Sequence, residues 1–209
     1  MKNLLVEFIG TFFLVLVIGL TVIDPGAGSM APLAIGAALM AMVYAGGHIS
    51  GGHYNPAVTL AVWMRGKCDT KDVAPYMVAQ TAAGIVAALV VKFLKVDAIV
   101  VPASPDAIRA LLVEFLFTFA LCYVVLNTAT SKKNSGNSYY GFAIGFTVLV
   151  GAYAGGAISG GAYNPAVAVG ITTMGLSAVG NIWIFLIGNF AGGAAAATVY
   201  KIVNPEESR

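Results

Sequence analysis

Long apolar runs alternate with short polar breaks along this chain. Six runs stand out, at residues 4–23, 31–47, 73–94, 108–127, 139–155 and 179–203. Each is of the ~17–25 residues that carry an α-helix across a ~30 Å hydrocarbon core. The breaks are compact: Asp24-Pro25-Gly26, then 65–69, 102–106 and 131–136, each rich in Pro, Gly, Ser or charge. Two shorter apolar runs follow a stretch that occurs twice, Ser50-Gly51-Gly52-His53-Tyr54-Asn55-Pro56-Ala57-Val58 and Ser159-Gly160-Gly161-Ala162-Tyr163-Asn164-Pro165-Ala166-Val167. Asn is a strong helix N-cap, its side-chain oxygen accepting a first-turn N–H. Pro suits the next position, where its missing N–H would have had no partner. The stretch therefore predicts loop, cap and short helix, over 56–64 and 165–174. Such a helix is roughly 15 Å long, half a membrane.

The expected fold is an all-α membrane protein: six transmembrane helices and two half-membrane re-entrant helices. The first run is expected to be a retained span, because Glu7 lies near its start and no small-residue cleavage site follows.

The two halves repeat. Asn164 follows Asn55 by 109 positions, and the same offset pairs Gly36 with Gly145, Gly84 with Gly193 and Gln80 with Asn189. Tyr44-Ala45-Gly46-Gly47 recurs letter for letter at 153–156, and Val6-Glu7-Phe8 recurs at 113–115. Each half, about 1–100 and 101–209 of one channel domain, holds three spans. An odd number inverts the second half relative to the first. Inverted repeats place a site at their interface near the midplane, built from broken helices. Asn55 and Asn164 are expected to meet there.

Composition agrees with a membrane class: 59% of residues are hydrophobic and 10% charged, against about 25% charged in a soluble domain. Mean hydropathy is +0.87. A net charge of +2 gives no reason to expect a nucleic-acid partner. Cys68 and Cys122 lie in settings too different for a disulfide to be expected. No cluster has metal-ligand spacing and no nucleophile–base pair is suggested, so neither a cofactor nor an enzyme is expected. With a cytoplasmic N-terminus, the inner side receives Lys2, Arg65, Lys67, Lys71, Lys132, Lys133, Lys201 and Arg209, and the outer side only Lys92, Lys95 and Arg109. That asymmetry predicts both termini inside.

Two Asn-Pro-Ala helices in equivalent places of an inverted repeat, a Glu in the first span of each half, and His48 to Ala57 together resemble the aquaporin and glycerol-facilitator family, the major intrinsic proteins, in its prokaryotic form. The resemblance covers nearly the whole chain. It implies a homotetramer in the cell membrane, surrounded by lipid, with one pore per subunit for water and small neutral solutes.

The pore centre is then Asn55, Pro56, Ala57, Asn164, Pro165 and Ala166. Two helix N-termini, each carrying roughly +0.5 charge, face one midplane and repel cations and protons. The Asn amides donate to a passing oxygen. Before each Asn the backbone of Gly51, Gly52 and His53, and of Gly160 and Ala162, is expected to form a ladder of carbonyl acceptors. Non-helical backbone at membrane depth must be buried or line a wet cavity. Glu7 and Glu114 are expensive inside apolar spans. The resemblance makes them pins that accept N–H bonds from the pore loops, with Gln80 and Asn189 as polar braces. His53 is a candidate for the inner pore lining, and His48 reads as a packing histidine. The pairs Gly47/Gly51 and Gly156/Gly160 are expected at close helix crossings.

The selectivity filter departs from the family. Water-selective members have Arg after the second Asn-Pro-Ala; here stands Val167. The other filter positions, placed by spacing, are Ile35, Ala152 and Gly161, where strict water channels commonly carry an aromatic residue and His at the first two. All four are apolar and none is large. Phe185-Leu186 and Ala168 match neither the water nor the glycerol pattern fully. The expectation is a passive channel for water and small uncharged solutes (glycerol, urea, ammonia or gas) with a widened apolar filter. The alternatives are a secondary transporter, which lacks an evident ion-coupling site here, and a closed-pore structural or adhesion protein.

Overall fold

In a computed structural model, which describes residues 1–207, the chain is a bundle of eight helices. In chain order they are α1 (Lys2–Val22), α2 (Ala31–Ser50), α3 (Pro56–Met64), α4 (Thr70–Leu94), α5 (Ala107–Val125), α6 (Tyr140–Ser159), α7 (Pro165–Met174) and α8 (Ile182–Val203). Six are long and apolar enough to cross a membrane; α3 and α7 are the short pair. The expected architecture is the observed one, and both short helices have the expected bounds.

The element ends differ from the hydropathy pattern for identifiable reasons. α2 and α6 run on to Ser50 and Ser159, past the apolar runs. Gly51 and Gly160 stop them in the left-handed conformation, at φ 93° and 95°, which glycine adopts without a Cβ penalty. At the end of α5 the chain continues through a π-helical turn, Leu126–Thr130. There Asn127, Thr128 and Thr130 bond back to carbonyls four residues earlier, and Asn134 and Asn137 cover the carbonyls of Asn127 and Thr128.

The packing repeats as the sequence does. α1 lies against α2 and α4, α5 against α6 and α8, and α2 against α6 across the centre. The expected crossing glycines are corrected. Gly51 and Gly160 are helix caps, and a Cβ on Gly156 would meet nothing within 4 Å. Gly47 and Gly156 serve the returning loops instead: a Cβ on Gly52 or Gly161 would stand 3.2 Å from their Cα atoms. The helices cross closely at Gly36 and Gly145. A Cβ on either would lie 2.7 or 2.5 Å from the other's carbonyl oxygen. Gly84 of α4 and Gly193 of α8 likewise grip the short helices, at the carbonyls of Ala166 and Ala57. Without strong hydrophobic drive between helices in lipid, such close backbone contact supplies the association.

Each end of the bundle is tied by side chains. At one end Glu207 is buried and joins three elements. Arg65, after α3, gives Nη2 to its carboxylate at 2.8 Å and Nη1 to its carbonyl at 2.7 Å. Ser131 and Tyr200 donate hydroxyls at 2.8 Å each, and the N–H groups of Lys132 and Lys133 add longer bonds. The Arg65 guanidinium also lies 4.8 Å from the centre of the Tyr200 ring. At the other end, Ala103 N–H donates to Leu176 O and Asn181 donates to Ala103 O, fastening the 95–106 connection to the turn after α7. Lys95 reaches the carbonyls of Ile23 and Pro25 there.

Candidate functional site

The two repeated stretches meet in the interior. Asn55 and Asn164 have extended backbones, φ −157° and −160°, and cap α3 and α7. Asn55 Oδ1 accepts the N–H of Ala57 at 2.8 Å, and Asn164 Oδ1 that of Ala166 at 2.9 Å. Pro56 and Pro165 occupy the first helical positions. The amides then cross over. Asn55 Nδ2 donates to Tyr163 O and Asn164 Nδ2 to Tyr54 O, both at 2.9 Å. One hydrogen of each amide is thereby committed, and its second is left to point elsewhere. Both side chains border a cavity of ≈ 360 Å³.

Just before each Asn the backbone is strained. Tyr54 and Tyr163 sit at φ 50° and 48°, left-handed for a bulky residue. Such conformations cost of order 1–3 kcal/mol and persist only where the surroundings impose them. The two buried carboxylates impose them here. Glu7 accepts the N–H groups of His53 at 3.0 Å and Tyr54 at 2.7 Å. It also accepts the Ser50 hydroxyl at 2.6 Å and the Gln80 amide at 2.8 Å. Glu114 repeats this with Ala162 at 3.0 Å and with Tyr163, Ser159 and Asn189 at 2.7 Å each. Each carboxylate has four donors and no cation, so its burial is compensated by hydrogen bonds. The Tyr hydroxyls anchor the other end of each loop, on Met42 O and Gly151 O.

The expected filter residues Ile35, Ala152, Gly161 and Val167 all border the same cavity as the two Asn side chains. So do Gly52, His53, Gly160 and Ala162 of the expected ladder, while Gly51 borders a smaller pocket beyond His53. His53 has Nδ1 3.2 Å from Thr59 Oγ1 and its ring 5.3 Å from that of Tyr76. His48 is corrected: its side chain is exposed and edges an open cleft rather than packing inside. Among the described residues no group of three His, Cys, Asp or Glu is arranged to hold a metal ion.

Sequence reasoning missed five contributors. Ser50 and Ser159 hold the Glu pins, and their identity in both repeats was an unused signal. Thr59 joins His53 to Gln80. Ser177 and Val101 border the cavity from connections that carry no motif.

The major intrinsic protein family model matches residues 1–200. The chain belongs to that family. Among relatives of this major intrinsic protein, Aquaporin NIP1-4 of Oryza sativa subsp. japonica is 36% identical over 214 residues, covering 97% of this chain and 77% of the relative. The glycerol uptake facilitator protein-like 6 of Lactiplantibacillus plantarum is 33% identical, covering 99% and 100%. The X-ray structure of the aquaglyceroporin from Plasmodium falciparum superposes with TM-score 0.80 at 22% identity, covering 99% of this chain and 98% of that one. At that identity the likeness concerns the fold. The paired Asn caps and paired Glu pins thus sit in a family of channels and facilitators.

Proposed function

We propose that this major intrinsic protein is a passive channel for water and small uncharged solutes, with glycerol, urea, ammonia and dissolved gas in its range. One observation carries the reading of its selectivity. The four filter positions Ile35, Ala152, Gly161 and Val167 border one cavity with Asn55 and Asn164, and none of the four is charged.

In this reading water or a hydroxyl crosses along the carbonyls of residues 51–53 and 160–162. At the midplane it accepts from the free amide hydrogens of Asn55 and Asn164. Its lone pairs are then occupied, so it does not relay a proton. The N-termini of α3 and α7 add positive potential that turns cations away. The filter adds width and an apolar wall where an Arg would have added a fixed charge and a five-donor fork. Pore diameter, lining groups and half-helix dipoles set selection in channels of this type.

The chain acts as one domain of two inverted repeats, about 1–100 and 101–209, without catalysis. It resides in the cell membrane as a lipid-embedded homotetramer with both termini cytoplasmic. The Lys/Arg asymmetry supports the orientation. Shrinkage of proteoliposomes in osmolytes of increasing size tests the reading. Water flow with graded passage of urea and glycerol is the expected result. Saturable uptake driven by an ion gradient would replace it with a transporter. The absence of any permeability in ordered tetramers would replace it with a closed structural protein.

A further inference from the structure

The cavity that holds both Asn side chains extends toward the end of the bundle opposite Glu207. There the 95–106 connection and the turn after α7 border it through Val101, Ala103, Leu176 and Ser177. Ser177 lies past the C-terminal end of α7, roughly 15 Å along that helix from its Asn164 cap. Among the described residues, six polar side chains border the cavity: His53, Tyr54, Asn55, Ser159, Asn164 and Ser177. Five of them have partners in the protein. Tyr54 donates to Met42 O, Ser159 to Glu114, and each Asn to the opposite loop, while His53 pairs with Thr59. Ser177 Oγ has none, although the residue is only 5% exposed.

The fold makes no use of this hydroxyl. The bridge between Ala103 and Ser177 is a main-chain contact, with Ala103 N–H on Leu176 O. The 3₁₀ turn that follows, Val179–Asn181, starts without a side-chain cap. Alanine would serve this backbone equally well. Buried hydroxyls are as a rule hydrogen-bonded, and one that is not calls for an explanation. Ser177 stands at the wall of a lumen, so a molecule in that lumen is the partner within its reach. A serine hydroxyl turns about a single bond and both donates and accepts.

The surroundings define the molecule. Val101, Ile171 and Leu176 border the cavity and offer no hydrogen-bonding side chain, and neither do the four filter positions. The backbone carbonyls of residues 160–162, on the way to the Asn pair, can only accept. One donor-and-acceptor group set in an apolar wall matches a solute with a hydroxyl on one side and carbon-bound hydrogens on the other. Urea presents no carbon-bound hydrogen to that wall, and water has no carbon at all.

We infer that Ser177 is a specificity-determining residue of this channel, whose hydroxyl takes a hydrogen bond from and gives one to small neutral polyols entering at the mouth opposite Glu207. The polyol exchanges part of its hydration for Ser177 before it meets the apolar filter, and its carbon face lies on Val101 and Leu176. This inference deepens the channel reading above and rests on it.

The test is permeability to water, urea and glycerol in proteoliposomes of wild type, Ser177→Ala, Ser177→Thr and Ser177→Val, with thermal melting of each in detergent. Ser177→Ala is expected to lower the glycerol-to-water ratio several-fold and the urea-to-water ratio less. Ser177→Thr keeps the hydroxyl and should stay near wild type. Ser177→Val has the shape of Thr without the hydroxyl and should follow Ser177→Ala. Melting of Ser177→Ala should match wild type, because no internal hydrogen bond is removed. A lower melting temperature would show that the hydroxyl serves the fold, and would overturn the inference. A glycerol-to-water ratio unchanged in Ser177→Ala, or equal in the Thr and Val variants, overturns it and leaves the channel reading standing. Equal losses for urea and glycerol overturn the polyol assignment. A wild type that passes none of the three solutes overturns the channel reading, and the inference with it.

Discussion

Asn55 and Asn164 are locked in a reciprocal embrace: each caps its own short helix and donates across the centre to the loop that precedes the other. The distances agree, 2.9 Å from Asn55 to Tyr163 O and 2.9 Å from Asn164 to Tyr54 O. Neither half of the site is therefore complete without its counterpart.

This arrangement makes replacement by Asp costly twice over. A carboxylate in Asn55→Asp or Asn164→Asp offsets the positive end of its half-helix. It also turns an acceptor toward the opposite loop carbonyl, where a donor stood. Both variants are expected to admit cations. Conductance recordings in planar bilayers check this, and a cation current no larger than wild type in either variant would remove the dipole account of exclusion.

The Glu7 pin has a graded expectation. Gln in place of Glu7 keeps one acceptor oxygen for the N–H groups of His53 and Tyr54, whereas Leu leaves those groups and Gln80 without it. An unpaired buried donor costs ~1–3 kcal/mol. Thermal stability in detergent should fall in the order wild type, Glu7→Gln, Glu7→Leu. Equal melting of the two variants would contradict the pinning role.

The Glu207 tie predicts a pH dependence outside the membrane. Burial alone pushes its carboxyl up. The hydrogen bonds from Ser131, Tyr200 and the N–H groups of Lys132 and Lys133 outweigh burial, and bring it from the ordinary 4.5 down to about 2. A depressed folded-state value stabilises above the unfolded one. The tie is thus fully present above about pH 4.5 and is lost as pH falls through about 2. Protease sensitivity of the 131–137 turn should stay flat from neutral pH to about 4.5 and rise below it. Glu207→Gln, which strands the buried Arg65 charge, should be sensitive already at neutral pH. A wild-type rise centred near 4.5, or a protected Glu207→Gln, would argue against it.

Val167→Arg tests the filter directly. Arg adds bulk, a fixed charge and donors where Ile35, Ala152 and Gly161 leave room. It should lower passage of glycerol and urea while sparing water, and reduce any residual cation leak. Water, urea and glycerol permeabilities measured side by side decide it; an unchanged solute-to-water ratio would mean that side chain 167 does not meet the solute.

Much of the fold was legible in sequence because lipid imposes a simple code. A backbone that must satisfy its own hydrogen bonds can cross only as helix or closed barrel, so six long apolar runs became six long helices. Asn-Pro at 55–56 and 164–165 fixed where the short helices begin, since cap and N1 chemistry are local. The repeat paired Glu7 with Glu114 and Gln80 with Asn189, and both pairs do converge on the loops. Glycine was harder to read. The motif glycines at 47, 51, 156 and 160 drew attention to helix crossings, yet close crossings lie at Gly36, Gly145, Gly84 and Gly193. Which glycine faces a neighbour depends on helix rotation, and a helix that is apolar all round carries no stripe from which to read it.

The sequence by itself thus determined the helices, their caps and the doubled loops, because each is dictated within a few residues by hydrogen bonding and by the bilayer's length scale. Only the tertiary structure decided how the polar groups behind the first loop connect. His53, Thr59 and Gln80 come from the loop after α2, from α3 and from α4. Their meeting with Glu7 in one hydrogen-bond chain follows from how whole helices pack, a property of distances that no local residue preference encodes.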